Sequence, residues 1–130
     1  MSNYTFGTHL QGEFAEIVDR VTDALAAEGF GVLTTIDVQS TFRAKLGIER
    51  DPYVILGACN PPLAARAIEA DARIGALLPC NVVVRETGEG VAVDVMDPNA
   101  VLELVDRPEV DELASEVRTR LVRAMTQLTG

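Results

Sequence analysis

Apolar residues recur at Phe14, Ile17, Val18, Val21, Ala24 and Leu25, with polar residues between them. That spacing is the period of a helix with one buried face. Gly29, just past its end, is placed to close it in a left-handed conformation. A second stripe of the same kind runs through Val110, Leu113, Val117, Leu121, Ala124 and Leu128. It predicts a long final helix whose outer face carries Glu116, Arg118, Arg120 and Arg123. Asp106-Arg107-Pro108-Glu109 before it resembles a capping box with a first-turn proline. Elsewhere the pattern is that of strands, with rough alternation along Tyr4 to Leu10. Tyr4 to Leu10 and Gly31 to Asp37 read as strands. Ala76 to Glu86 and Gly90 to Met96 read as two more, joined by a hairpin turn at Thr87-Gly88-Glu89. Along the last of these, Val91, Val93 and Val95 alternate with Ala92, Asp94 and Met96, giving one apolar and one mixed face.

Tyr53 to Ala58 is apolar throughout, which predicts a strand buried on both faces or placed inside a sheet. Shorter helices are expected at Ser40 to Gly47, where Phe42 and Leu46 lie four apart, and from Asn60 to about Ala70. In the latter, Asn60 is a good cap, and Pro61 stands where a helix can spare an N–H. Asp97-Pro98 ends the strand before it. The order is β-α-β-(short α)-β-α-β-β-α. It predicts an α+β fold, a single domain over residues 1–130, with a largely antiparallel sheet and helices packed on one face.

Charge narrows the partners. Eleven basic residues stand against 20 acidic ones, for a net charge of -9. Such a chain repels phosphate backbones, so no nucleic acid is expected as a partner. The longest apolar runs contain Gly, Pro, Cys and Asn and are too short for a membrane span, so no membrane partner is expected. The first residues carry neither a basic nor an apolar leader segment, and two cysteines do not make a disulfide framework. The expected location is cytoplasmic, with both thiols reduced.

Both cysteines precede asparagine at the edge of an apolar stretch: Cys59-Asn60 after Tyr53 to Ala58, and Cys80-Asn81 before Val82-Val83-Val84. Cys59 stands at the start of a helix, where free N–H groups and the macrodipole favour a thiolate. Against that stands a small apolar filler in a tight turn. Cys80 follows Pro79 and reads as a buried core thiol. Asn60 is explained as a cap. Asn81 is a polar group inside an apolar run, so it must either bridge backbone groups at a bulge or face a pocket. Arg66, on the helix after Cys59, completes the candidate ligand or thiol site of Cys59, Asn60, Cys80, Asn81 and Arg66. Two cysteines and the single His9 fall short of a structural metal site, so no metal and no cofactor are expected. No Ser-His-Asp set, Gly-rich phosphate loop or nucleotide fingerprint is present.

Four segments together carry a resemblance. Gly29-Phe30-Gly31-Val32-Leu33 with Ile36-Asp37, then Gly57-Ala58-Cys59-Asn60-Pro61, then Leu77 to Val84, then Met96-Asp97-Pro98 resemble the domain of unknown function 302 family. The resemblance covers about Tyr4 to Leu128. It implies a fold similar to that of the TATA-binding protein: strand, helix, four strands, helix, with extra helical pieces. It also implies a homodimer, and no agreed activity. Relatives often carry a His or an aromatic residue where this chain has Ala64-Ala65-Arg66, so no imidazole role is implied there. Two readings of function follow. One is a domain that binds a small ligand, or handles thiol or redox chemistry, at a pocket around the Cys-Asn motifs. The alternative is a non-catalytic homodimeric protein-interaction module.

Overall fold

The computed structural model describes residues 2–129. Its five strands are β1 (Thr5–Leu10), β2 (Gly31–Asp37), β3 (Tyr53–Cys59), β4 (Cys80–Thr87) and β5 (Gly90–Met96). They form one sheet in the order β1-β5-β4-β3-β2, every neighbouring pair antiparallel. The helices are α1 (Phe14–Ala27), α2 (Val38–Leu46), α3 (Pro61–Ala70), α4 (Pro98–Leu102) and α5 (Pro108–Thr129). The architecture is the expected α+β one. With α2, α3 and α4 set aside as additions, the order is strand, helix, four strands, helix.

Side-chain alternation assembles the core. Val82 and Val84 of β4 and Val91, Val93 and Val95 of β5 all point to one face and are 0–1% exposed. Ile17, Val21 and Leu25 of α1 and Val110, Leu113, Leu121 and Ala124 of α5 bury their stripes against it. Both helical periodicities therefore mark the faces that are buried. β3 lies between β2 and β4, as its continuous apolar run requires, with Leu56, Gly57 and Ala58 buried.

Capping residues set the boundaries. Asp37 ends β2 and caps α2, its carboxylate accepting the Ser40 N–H at 2.9 Å. These bonds hold its carboxyl below the usual carboxylate range, the Ser40 backbone N–H contributing most. Gly47, at φ 66°, closes α2 in the left-handed region that glycine enters without strain.

Two expectations need correction and one an addition. The strand thought to begin at Ala76 begins at Cys80, because Ala72–Leu77 coils into a 3-10 helix. Asp71 starts that helix by accepting the Arg73 N–H at 3.0 Å, and Pro79, bonded through a cis peptide to Leu78, has no N–H for a ladder. Asp106 is not a side-chain cap. At φ 55° it ends a 3-10 turn (Glu103–Val105), and the carbonyl of Arg107 accepts the first bonds of α5. Finally, Asp97-Pro98 starts a helix, α4, as well as ending β5: Asp97 accepts the Asn99 N–H at 3.0 Å and also meets Arg118 at 3.2 Å.

Leu121, fully buried on α5, is a direct check of this packing. Leu121→Ala should lower the unfolding free energy by about 2–5 kcal/mol in urea titration, while Leu104→Ala should change it by less than about 0.5 kcal/mol. Leu104 is 78% exposed.

Candidate functional site

The β3–α3 turn brings the first Cys-Asn motif into the fold. Cys59 is the last residue of β3 and pairs with Gly31 of β2. Asn60 follows, only 6% exposed, and its Oδ1 accepts the Leu63 N–H at 3.3 Å. Its backbone carbonyl accepts the Ala64 N–H at 2.9 Å. Pro61 and Pro62 have no N–H. The first turn of α3 therefore offers Cys59 no free N–H group, unlike the helix start expected from sequence. Gly29 completes the turn. Its φ of 86° suits glycine, and a Cβ there would stand 2.9 Å from the Asn60 Nδ2.

The second motif splits across the sheet. Cys80 opens β4 opposite Ala58, faces the helices and is 6% exposed. Burial, with a smaller contribution from Cys59, pushes its thiol from 9.0 up to about 11. Asn81 pairs with Gly57, points to the other face and is exposed. The expectation that it is a buried amide seeking partners is thereby corrected. Three consecutive valines hide the period of two, but Cys80, Val82 and Val84 face inward, so Asn81 and Arg85 face outward. Arg66 also lies away from the motifs. It is exposed on α3 and approaches Glu116 at 3.9 Å.

Cys59, Asn60 and Cys80 do converge, on a cavity of about 280 Å³. Leu63 and Ala67 of α3 form one wall, and Leu113 and Val117 of α5 another. Gly75 contributes from the 3-10 helix, Leu78 and Pro79 from the link between it and β4, and Leu33 and Ile68, both exposed, from β2 and α3. No charged residue lines it among those described. Among the described residues its only polar side chains are the Asn60 amide and the two thiols, which are free. Sequence reasoning found the two cysteines and Asn60. It missed Gly75 and Leu78, because that segment reads as a strand when its apolar residues are taken at face value.

Other sites carry less. A more polar depression of about 380 Å³ lies at Arg20, Asp23 and Leu128, where Arg20 donates to the Leu128 carbonyl at 3.0 Å and ties two helices together. His9 is exposed on β1 opposite Ala92, outside the cavity lining. Among the described residues no three His, Cys, Asp or Glu side chains group as metal ligands, and no helix is long and apolar enough to cross a membrane.

Two predictions follow from this geometry. Asn60→Ala should cost about 0.5–2 kcal/mol in denaturant titration, and Asn60→Ser should recover part of it by restoring an uncharged cap acceptor. Cys80 gives a pH signature. The folded thiol keeps its proton to about pH 11, whereas the unfolded one releases it near 9.0, so stability is full below 9.0 and falls as pH rises between the two. The wild type should lose about 2–3 kcal/mol over that window relative to Cys80→Ala.

Comparison with known proteins agrees with this architecture. A crystal structure of the uncharacterized conserved protein DUF302 from Bacillus stearothermophilus is similar over 98% of this chain and 99% of that one, with 26% identity and a TM-score of 0.90. Curated proteins give no match. Residues 6–128 match the family model described as Domain of unknown function DUF302. The match spans nearly the whole chain, including both Cys-Asn motifs, and the chain belongs to that family.

Proposed function

We propose that this domain binds a small, uncharged, largely apolar ligand in the cavity between α3, α5 and the 3-10 segment. One observation carries the reading: an uncharged, apolar-lined space of about 280 Å³ at the place where Cys59, Asn60 and Cys80 meet. Pockets for small organic molecules are concave, mostly apolar, and fixed by a few polar groups. Here the volume suits a single ring or a short branched chain. An ionised ligand would lose its hydration without gaining a counter-charge.

The geometry favours binding over thiol chemistry. Cys80 is buried and its thiol is pushed up to about 11, so it is a poor nucleophile. Cys59 lies at a helix start whose donors are either absent or already used. The thiol of Cys59 serves in this reading as a soft, polarisable contact at the cavity edge. Two free thiols fit a reducing compartment, and the cytoplasm is the proposed location.

Ala67, buried on the α3 wall of the cavity, provides the test: Ala67→Leu should take up part of that space, with far-ultraviolet circular dichroism checking that the variant folds. Toluene titrated into methyl-labelled wild-type protein should shift the Leu63, Leu78, Leu113 and Val117 methyl signals saturably. In Ala67→Leu the same shifts should need at least about tenfold more toluene. Absence of saturable shifts at those methyls in the wild type would defeat the proposal, as would unchanged binding by the variant.

A further inference from the structure

β2 is an edge strand, and six of its seven residues are exposed. One of them, Leu33, lines the cavity all the same. A bulge puts it there. Val32 pairs with Ala58 and Thr34 with Gly57, so Leu33 is the extra residue between them, without a ladder partner of its own. In an unbroken ladder Leu33 would stand opposite Gly57 and share the outward face of Asn81, away from the helices. The bulge turns it to the helix side, beside Val32, which packs on the core. Leu33 is still 66% exposed, and Ile68, which meets the same cavity from α3, is 46% exposed. Two of the seven large apolar side chains exposed among the described residues therefore flank one mouth. A ligand held wholly inside would leave their apolar area in water.

We propose that the ligand is an amphiphile with a straight alkyl chain and an uncharged head. The chain end fills the cavity, the next methylenes pass between Leu33 and Ile68, and the head stays in water. This rests on the cavity being a ligand site. Asn60 turns its amide to the protein: Oδ1 accepts the Leu63 N–H, and Nδ2 lies beside Gly29. The thiols are weak hydrogen-bonding groups. A polar end placed inside would lose its hydration for little return, so it stays outside the mouth. A methylene chain can fill the space and also cover both mouth residues, which a molecule no larger than the cavity cannot do. Charge selects the head. No charged side chain lines the cavity among the described residues, and a chain of net charge -9 repels a carboxylate or phosphate. Leu33 and Ile68 then set the preference for chain length, because each added CH2 gains apolar contact while they have area left to cover.

Binding of n-pentanol, n-heptanol and n-nonanol to the full chain, read from methyl shifts, tests this. Dissociation constants should fall about two- to fourfold per added CH2 through nonanol. Leu33→Ser and Ile68→Ala, both at exposed positions, should each weaken nonanol at least about fivefold and pentanol by much less. Leu46→Ala, exposed and outside the cavity lining, should change neither. At neutral pH n-nonanoate should bind at least about threefold more weakly than nonanol. A dissociation constant that stops falling after pentanol, equal losses for both alcohols in the mouth variants, or nonanoate binding as tightly as nonanol would overturn the inference. Toluene separates it from the cavity reading. Saturable toluene shifts at Leu63 and Leu113 with a flat alcohol series would remove the long-chain ligand alone. No saturable shift with toluene or any alcohol would remove both.

Discussion

The site depends on one buried amide. Asn60 stands where an apolar strand must become a helix, and two prolines in succession remove the donors that would otherwise need solvent. The remaining donor, on Leu63, is met by the Asn60 side chain. That arrangement lets a polar junction be buried at little cost, because no N–H of the first turn of α3 is left orphaned. It also fixes where α3 leaves the sheet. Leu63 and Ala67 then face Leu113 and Val117 of α5 across the cavity.

The same economy explains the fate of the two cysteines. They occur in similar local sequences, yet the strands that carry them set different environments. Cys80 shares a face with Val82 and Val84 and is drawn into the core, which raises its thiol. Cys59 lies one residue past the Ala58–Cys80 pair, beside the cap and less deeply buried. A shared Cys-Asn dipeptide therefore does not mean a shared role. In the first motif the asparagine is the structural element and in the second the cysteine is.

Much of this was legible in the sequence, and the reasons are physical. Stripes on α1 and α5 and the alternation along β5 are periodic over enough residues to determine a face, and those residues are the core. Asn60 was readable as a cap because the chemistry is local. Residues 72–77 were not, since short 3-10 helices bury too few side chains to leave a period, and Ile74 alone is buried there. Asn81 was misjudged because a run of valines masks the register that turns it outward. Arg66 follows the candidate motif closely in sequence, but the helix carries its side chain to the exposed surface near Glu116. The exposure of β2 was also hidden, because a strand's place in the sheet depends on distant pairings that its own residues do not encode.

The account stands on the cavity being an open, apolar space and not one that collapses in solution or fills with water. Crystals of the wild-type protein pressurised with xenon address this most directly, because dry apolar cavities take up xenon and polar hydrated ones do not. The account predicts xenon density bounded by Leu63, Ala67, Leu113 and Leu78. Hydrogen-bonded waters in that volume, or Leu78 packed into it with no xenon bound, would contradict it.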